Sequence, residues 1–545
     1  MKKLAILLLV VLTSIYSQDI LIKKGLEAIT PEAIQGQLEF LSSDWMEGRE
    51  TGQKGQYLAA DYIASMFKVY GLMPAAGKEK SPHTYYSKNK HYDENSYYQD
   101  FYLNEYEAGE NQQFSVLSEN NNPLNYNFKY MTDFRVRTSE IPQEINAEVV
   151  FAGYAFQSTE NNYDDLEDID VNGKVVVLLR GFPGHTSSES EAYKKFKPSG
   201  EWWWYRLERE KRTRLEKLGA LAIIEIDPEK DAVEFFKSNT PFRYQQYPYY
   251  EGNEKITTYG KDYEIISDNI STNIPTIYLS NRAVNILLKD DGIQVQRFEE
   301  NTIKTLKPDS KKIKNKRVKL VTDVNSKIIS TRNVLGMIEG ESRDSIIVIG
   351  GHYDHEGMRN GIIYNGADDN GSGTVGVLTI AKAFASLGVK PKKTIIFAAW
   401  TGEERGLLGS EYFVANPPEG HIEFYFNMDM LSRSNNEDTL QNRCFVRYTD
   451  TYPILKEMNE KLKAEYSFDI DFQYEGSPKP RGGSDFASFA EGGIPVSGYF
   501  TGLHDEYHTP LDQEELVNYN KMIPLVKMAF LNLFNIANNK VRLQK

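Results

Sequence analysis

The sequence predicts an α/β protein: a mixed, mostly parallel sheet flanked by helices, with an inserted β-rich domain. Two patterns carry the prediction. Beyond Val318, short and almost wholly apolar runs at 345–350, 394–400, 424–429 and 494–500 alternate with helical segments at 374–387 and 407–413. Strands without polar alternation are buried on both faces, as in sheets covered by helices on each side. Between about residues 142 and 285 the rhythm differs, with short strands expected at 148–154, 174–179, 221–226 and 274–279, the second entered through an Asn172-Gly173 turn.

The domain plan follows. Residues 18–141 form the first segment of the main domain, 142–285 the inserted domain, and 286–545 the rest of the main domain. In the first segment, Thr30-Pro31-Glu32 is a helix start, with a hydroxyl cap and proline in the first turn. Ala59, Ile63, Met66 and Phe67 recur at helical spacing up to Gly71. The loop between the two helices holds residues 44–52. The polar, tyrosine-rich stretch at 74–98 is expected to be a surface insertion. A basic helix after Trp202-Trp203-Trp204 is expected to pack its apolar stripe and expose its charges.

Composition narrows the classes. The chain has 545 residues, 40% hydrophobic and 26% charged, which suits a globular protein of two or three domains. A formal charge of −14 argues against nucleic acid as a partner. Lys2 and Lys3, the apolar run 4–12 and the small and polar residues up to Ser17 read as a secretory signal over 1–17, so a secreted or periplasmic location is expected. That run is shorter than the ~20 residues of a membrane span, and no transmembrane anchor is expected. The single cysteine, Cys444, excludes an internal disulfide and sits in a strand-like stretch as a core residue.

Polar clusters fall at the ends of successive apolar strands, where sheets of this kind bind ligands. They are Gly351-His352-Tyr353-Asp354-His355, then Asn365-Gly366-Ala367-Asp368-Asp369-Asn370-Gly371-Ser372-Gly373, Thr401-Gly402-Glu403-Glu404-Arg405-Gly406, Asn427-Met428-Asp429, and His504-Asp505-Glu506-Tyr507-His508-Thr509-Pro510. Carboxylates this dense beside buried strands must be paired or metal-bound. Imidazole and carboxylate together suit zinc, and two ions sharing a ligand need about five donors. Asp354 lies close enough in sequence to orient the His352 imidazole. The adjacent Glu403 and Glu404 cannot both point one way, so one can bind metal while the other acts as general base.

The ordered set His352-Tyr353-Asp354, Asp368-Asp369-Asn370-Gly371-Ser372-Gly373, Gly402-Glu403-Glu404, Asn427-Met428-Asp429 and Tyr507-His508-Thr509-Pro510 resembles family twenty-eight of the metallopeptidases. These are di-zinc aminopeptidases, related to glutamate carboxypeptidase and the transferrin receptor. The resemblance runs from about Thr331 onward. Leu41-Ser42-Ser43-Asp44 with Glu47-Gly48-Arg49 is similar to that family's first segment. Val171-Asn172-Gly173-Lys174-Val175-Val176-Val177 and Leu218-Gly219-Ala220-Leu221-Ala222 resemble a protease-associated domain.

What the resemblance implies is specific. The fold would be the phosphorylase/hydrolase-like fold of zinc peptidases, and the cofactor two zinc ions. His352 and Asp429 would hold one ion and Glu404 and His508 the other, with Asp369 bridging. Glu403 would be the base that takes a proton from the bridging water, Asp354 would hold His352, and Tyr507 would donate to the oxyanion. The activity would be that of a secreted aminopeptidase acting on peptides with a free amino terminus. The alternatives are a carboxypeptidase or dipeptidase of the same family, a one-zinc glutaminyl cyclase, and a non-catalytic binding protein; the complete ligand set argues against the last two. The chain departs from some relatives at Gly483, where they carry arginine before Ser-Asp; here Arg481 stands two residues earlier.

Overall fold

Capping chemistry sets the first helices. A computed structural model describes residues 18–543 apart from 77–95, 125, 127, 199–202, 232–260, 267–273, 289–290, 360 and 436. The expected signal segment 1–17, most of the stretch 74–98 and Trp202 lie outside the described residues. The Thr30 hydroxyl accepts from the Ala33 amide at 3.2 Å and starts α1 (Pro31–Leu41). α2 (Lys54–Tyr70) ends at Gly71, whose φ of 83° needs a residue without a side chain. Ala59, Ala60, Ile63 and Phe67 form its buried stripe. Among the described residues, no helix is long and apolar enough to cross a membrane.

The chain divides into two compact units, residues 1–103 with 329–545, and residues 104–328. The first unit is built on residues 329–338 of β1 (Val324–Ile338) and on β2 (Ser342–His352), β3 (Lys393–Trp400), β4 (His421–Met428), β5 (Arg443–Thr449), β6 (Asp471–Ser477) and β7 (Val496–Phe500). Their order in the sheet is β1-β3-β2-β4-β7-β5-β6. β3, β2, β4 and β7 run parallel, and β1 and β5 pair antiparallel with this block, so the sheet is mixed and mostly parallel as expected.

Both faces of that block are covered. Ile347, Ile349, Ile395, Phe397, Phe424 and Phe426 face the layer containing α1, α2, α3 (Gly373–Leu387), α5 (Ile454–Tyr466) and α7 (Tyr519–Ala537). Ile346, Val348, Ile396, Trp400 and Tyr425 face the other side, with Phe413 of α4 (Leu408–Ala415) and Phe489 of α6 (Phe486–Glu491). A register shift between β2 and β4 lies between Ile422 and Phe424, which lets these two residues serve opposite layers despite even spacing. Cys444 is fully buried on β5, in keeping with a purely packing role.

The second unit carries its own seven-stranded sheet and core. Glu144–Phe151, Val175–Leu179, Ala222–Ile226 and Thr276–Leu279 run parallel at its centre. Flanking strands Gln113–Ser118, Phe134–Arg137 and Lys311–Val321 come from outside 142–285 and complete it. Lys311–Val321 is lysine-rich and largely exposed at its start, so its apolar pattern is faint in sequence.

Arg49 ties the first segment to the sheet. Its side chain is buried and donates to four carbonyls: Leu41 at 2.6 Å, Tyr353 at 2.7 Å, Asn365 at 2.7 Å and Gly366 at 2.9 Å. Burial lowers its pKa to about 10, with Asp369 and Asp512 opposing, so the guanidinium stays charged. Replacing Arg49 by methionine removes the donor from four buried carbonyls, each loss costing about 1–3 kcal/mol. The expected result in a thermal melt is destabilisation by at least about 4 kcal/mol, or roughly 10 °C in Tm.

Candidate metal centre

The loops beyond β2, β3, β4 and β7 converge at one place. β3 and β4 flank β2 on opposite sides, so the chain reverses direction around β2 and opens a crevice beyond its carboxyl end. His352 is the last residue of β2, and its carbonyl is fixed by the Thr374 hydroxyl at 2.7 Å. Its Nδ1 lies 3.2 Å from the Asp354 carbonyl, which can only accept. Nδ1 therefore carries a proton, and Nε2 is the nitrogen that faces the crevice.

Asp369 stands in the turn before α3 and is held through its backbone. The Asp512 carboxylate accepts from the amides of Asp368 and Asp369 at 3.0 and 2.9 Å. The Asn370 side chain accepts from the amides of Gly373 and Met430, both at 3.0 Å, and donates to the Met428 carbonyl at 3.0 Å. Gly366 opens the turn at φ 56°, and a Cβ there would collide with the Asp369 carbonyl and the His355 ring.

The geometry around Asp369 is two-sided. Its Oδ1 lies 3.4 Å from His352 Nε2, which is also 3.4 Å from Asp429 Oδ1. Its Oδ2 lies 3.0 Å from His508 Nε2, which is 3.0 Å from Glu404 Oε2. Glu403 turns the other way from Glu404: its Oε2 is 3.9 Å from His352 Nε2, and its amide donates to Asp354 Oδ1 at 3.2 Å. The Asp354 carboxylate also accepts from Thr51 at 2.9 Å, and lies farther from His352 Nδ1, at 3.9 Å, than its own carbonyl does. Tyr507 is half-buried and stacks on the His508 ring, with centroids 3.8 Å apart.

Burial and charge oppose each other across the site. Burial disfavours a charged imidazole, yet Glu403 and Asp429 push His352 well above its ordinary range. Glu404 and Asp369 likewise overcome burial to raise His508 to about 10. For Glu404, burial is outweighed by His508 and His355, which hold it well below an ordinary glutamate. Glu403 moves the opposite way: burial pushes it well up, against His352, and Asp429, Asp485 and Glu404 add to the rise. Positive charge is thus demanded at two points, beside His352 and beside His508. The donor set fits zinc at both: donors 3.0–3.4 Å apart match the ~3.3 Å edge of a tetrahedron with bonds of about 2.0–2.1 Å.

The six residues marked from sequence as ligands and base therefore meet, with Asp354 and Tyr507 beside them. Other contributors were given no role from the sequence. His355 and Glu356 pack against the His508 side, and their part depends on a turn that spacing does not reveal. Asp485 is buried on the His352 side, pushed up to about 7 by burial, with His352 attracting and Asp429 repelling. It follows Ser484, which is reached by a buried relay from Trp400 Nε1 to the Tyr425 hydroxyl (2.9 Å), to Asn427 Oδ1 (2.7 Å), and from Asn427 Nδ2 to Ser484 Oγ (2.8 Å).

Residues 333–530 match the sequence profile of peptidase family M28. Leucine aminopeptidase 2 of Arthroderma otae is 32% identical over 180 residues, covering 32% of this chain and 34% of that protein. A probable leucine aminopeptidase 2 of Aspergillus oryzae is 33% identical over 193 residues, covering 34% of this chain and 36% of its own length. The match thus spans about a third of these curated relatives. An aminopeptidase from Aneurinibacillus sp. strain AM-1 has the same fold, with a TM-score of 0.54 at 17% identity over 95% of this chain and 96% of that one.

Proposed function

Because residues 333–530 belong to peptidase family M28, we propose that the chain is a two-zinc aminopeptidase, exported by its first seventeen residues, that removes amino-terminal residues from peptides. The observation that carries this is the two-sided Asp369, whose oxygens each face a separate imidazole–carboxylate pair. His352 and Asp429 would hold one ion, and Glu404 and His508 the other. When bound, the metals supply Lewis-acid polarisation of the scissile carbonyl and lower the pKa of water.

The rest is done by the chain. Glu403 points into the His352 pocket without being needed as a donor there, so it is placed to accept a proton from the attacking water and pass it to the leaving amine. Tyr507, kept protonated because burial, Asp369 and Glu404 raise its pKa, is placed to donate to the developing oxyanion. The carboxylates on the His352 side exceed what one ion requires: Asp354, Glu403 and Asp485 stand there besides Asp429 and Asp369. That surplus suits an α-ammonium group and favours a free amino terminus over a carboxylate. The second unit is proposed to be a protease-associated domain.

Free and amino-acetylated peptides, offered with and without a chelator, test the proposal. Free peptides are expected to be cleaved from the amino end, activity to vanish with chelator, and zinc to restore it. Equal cleavage of acetylated peptides would overturn the aminopeptidase assignment, and chelator-resistant cleavage the metal assignment.

A further inference from the structure

Three consecutive residues after β2 each reach a different side chain of the metal centre. The Asp354 carbonyl takes His352 Nδ1, as described. His355 Nδ1 lies 2.8 Å from Glu404 Oε1, and Glu356 Oε1 lies 3.5 Å from His508 Nδ1. His355 and Glu356 thus reach the two donors of one pocket separately, one at Glu404 and the other at His508.

Both are firmly placed. His355 is fully buried, its amide donates to the Arg49 carbonyl at 3.2 Å, and its ring lies against Gly366, where any side chain would displace it. Glu356 is engaged by Arg359 and, at 3.6 Å, by Arg405, which also reaches Glu50 at 3.7 Å.

Each contact settles the state of a ligand. Glu404 receives His355 on Oε1, which leaves Oε2 as the oxygen beside His508 Nε2. With a cation held between Nε2 and the Glu404 and Asp369 carboxylates, a carboxylate facing His508 Nδ1 favours the single ring proton on that nitrogen and would leave the Nε2 lone pair to the metal. We propose that His355 and Glu356 are positioning residues for the Glu404–His508 pocket: His355 donates to Glu404 and makes it a one-oxygen ligand, and Glu356 fixes the His508 tautomer. This assignment rests on the two-zinc reading. Its effect falls chiefly on the Glu404–His508 pocket, because the closest contacts of both residues are to that pocket's own donors, and the one contact toward the shared Asp369, from His355 Nδ1, is longer at 3.7 Å.

Metal-free protein titrated with zinc against a competing chromophoric chelator tests it, with the visible spectrum of the cobalt-loaded protein as a second readout. In His355→Ala and Glu356→Ala, one zinc is expected to bind as in the parent and the other about 10–100-fold more weakly. The cobalt bands of one site alone should change. His355→Asn, which keeps an N–H donor near the Nδ1 position, and Glu356→Gln, which keeps an acceptor oxygen, should recover part of the loss. Parent-like affinity and spectrum in both alanine variants would overturn the proposal. So would equal weakening of both sites without recovery in His355→Asn and Glu356→Gln, which would mark a general structural role. A parent chain that binds fewer than two zinc ions would fail the two-zinc reading itself, and this proposal with it.

Discussion

Glu403→Gln is expected to bind two zinc ions like the parent and to lose about 10²–10⁴-fold in kcat, the range assigned to a positioned general base. The geometry separates the two effects. Glu403 Oε2 sits 3.9 Å from His352 Nε2, whereas Asp369 and Asp429 approach that nitrogen to 3.4 Å and suffice as carboxylate donors. Glutamine has the same shape, and the backbone contact that orients residue 403, its amide to Asp354 Oδ1, does not involve the side chain. Packing and metal content should therefore persist while proton transfer stops. Zinc measured by mass spectrometry alongside steady-state kinetics checks this. A variant with full zinc and full activity would remove Glu403 from the chemistry; one that had lost zinc would make it a ligand.

Asp369→Asn should have the other large effect, and through a different route. Both carboxylate oxygens face imidazoles, Oδ1 toward His352 and Oδ2 toward His508. An amide presents one oxygen and one N–H₂ group, so whichever way it turns, one pocket meets a donor hydrogen instead of a lone pair. Bound zinc is expected to fall from two ions to one or none. Activity should fall at least about 10³-fold, since loss of a single transition-state donor already costs about 10²–10³. The backbone contacts from Asp512 to residues 368 and 369 are untouched, so the turn should survive. Two tightly bound zinc ions in this variant would show that Asp369 does not bridge.

What the sequence disclosed depends on where physical constraint acts. β2, β3 and β4 were legible because burial on both faces leaves no room for polar residues, and Ile346–Ile349, Ile395–Ala399 and Phe424–Met428 comply. Lys311–Val321 was not, because its first half is exposed and lysines satisfy that environment. The same contrast holds in the crevice. His352, Asp369, Glu403, Glu404, Asp429 and His508 announce themselves as charges set against apolar strands. Arg49 lies in a loop of mixed polarity, and only the folded chain shows that four distant carbonyls meet at its guanidinium. His355 and Glu356 were visible as residues and silent as partners, since the direction of a side chain after a strand is decided by the turn.

Arg49 also governs the order in which the protein can complete itself. Its guanidinium closes on the carbonyl of Asn365, 316 residues further along the chain. During synthesis, α1 and α2 emerge long before the sheet they must cover, and residues 104–328, with a sheet and core of their own, emerge next. Domains generally fold as units in the order they appear, so the second unit is expected to reach its native state while the first still waits for most of its strands. His508, the last of the proposed donors in the sequence, arrives after all the others. On the two-zinc reading, the metal centre therefore cannot be complete until residue 508 has been made, and the proposed activity is delayed with it.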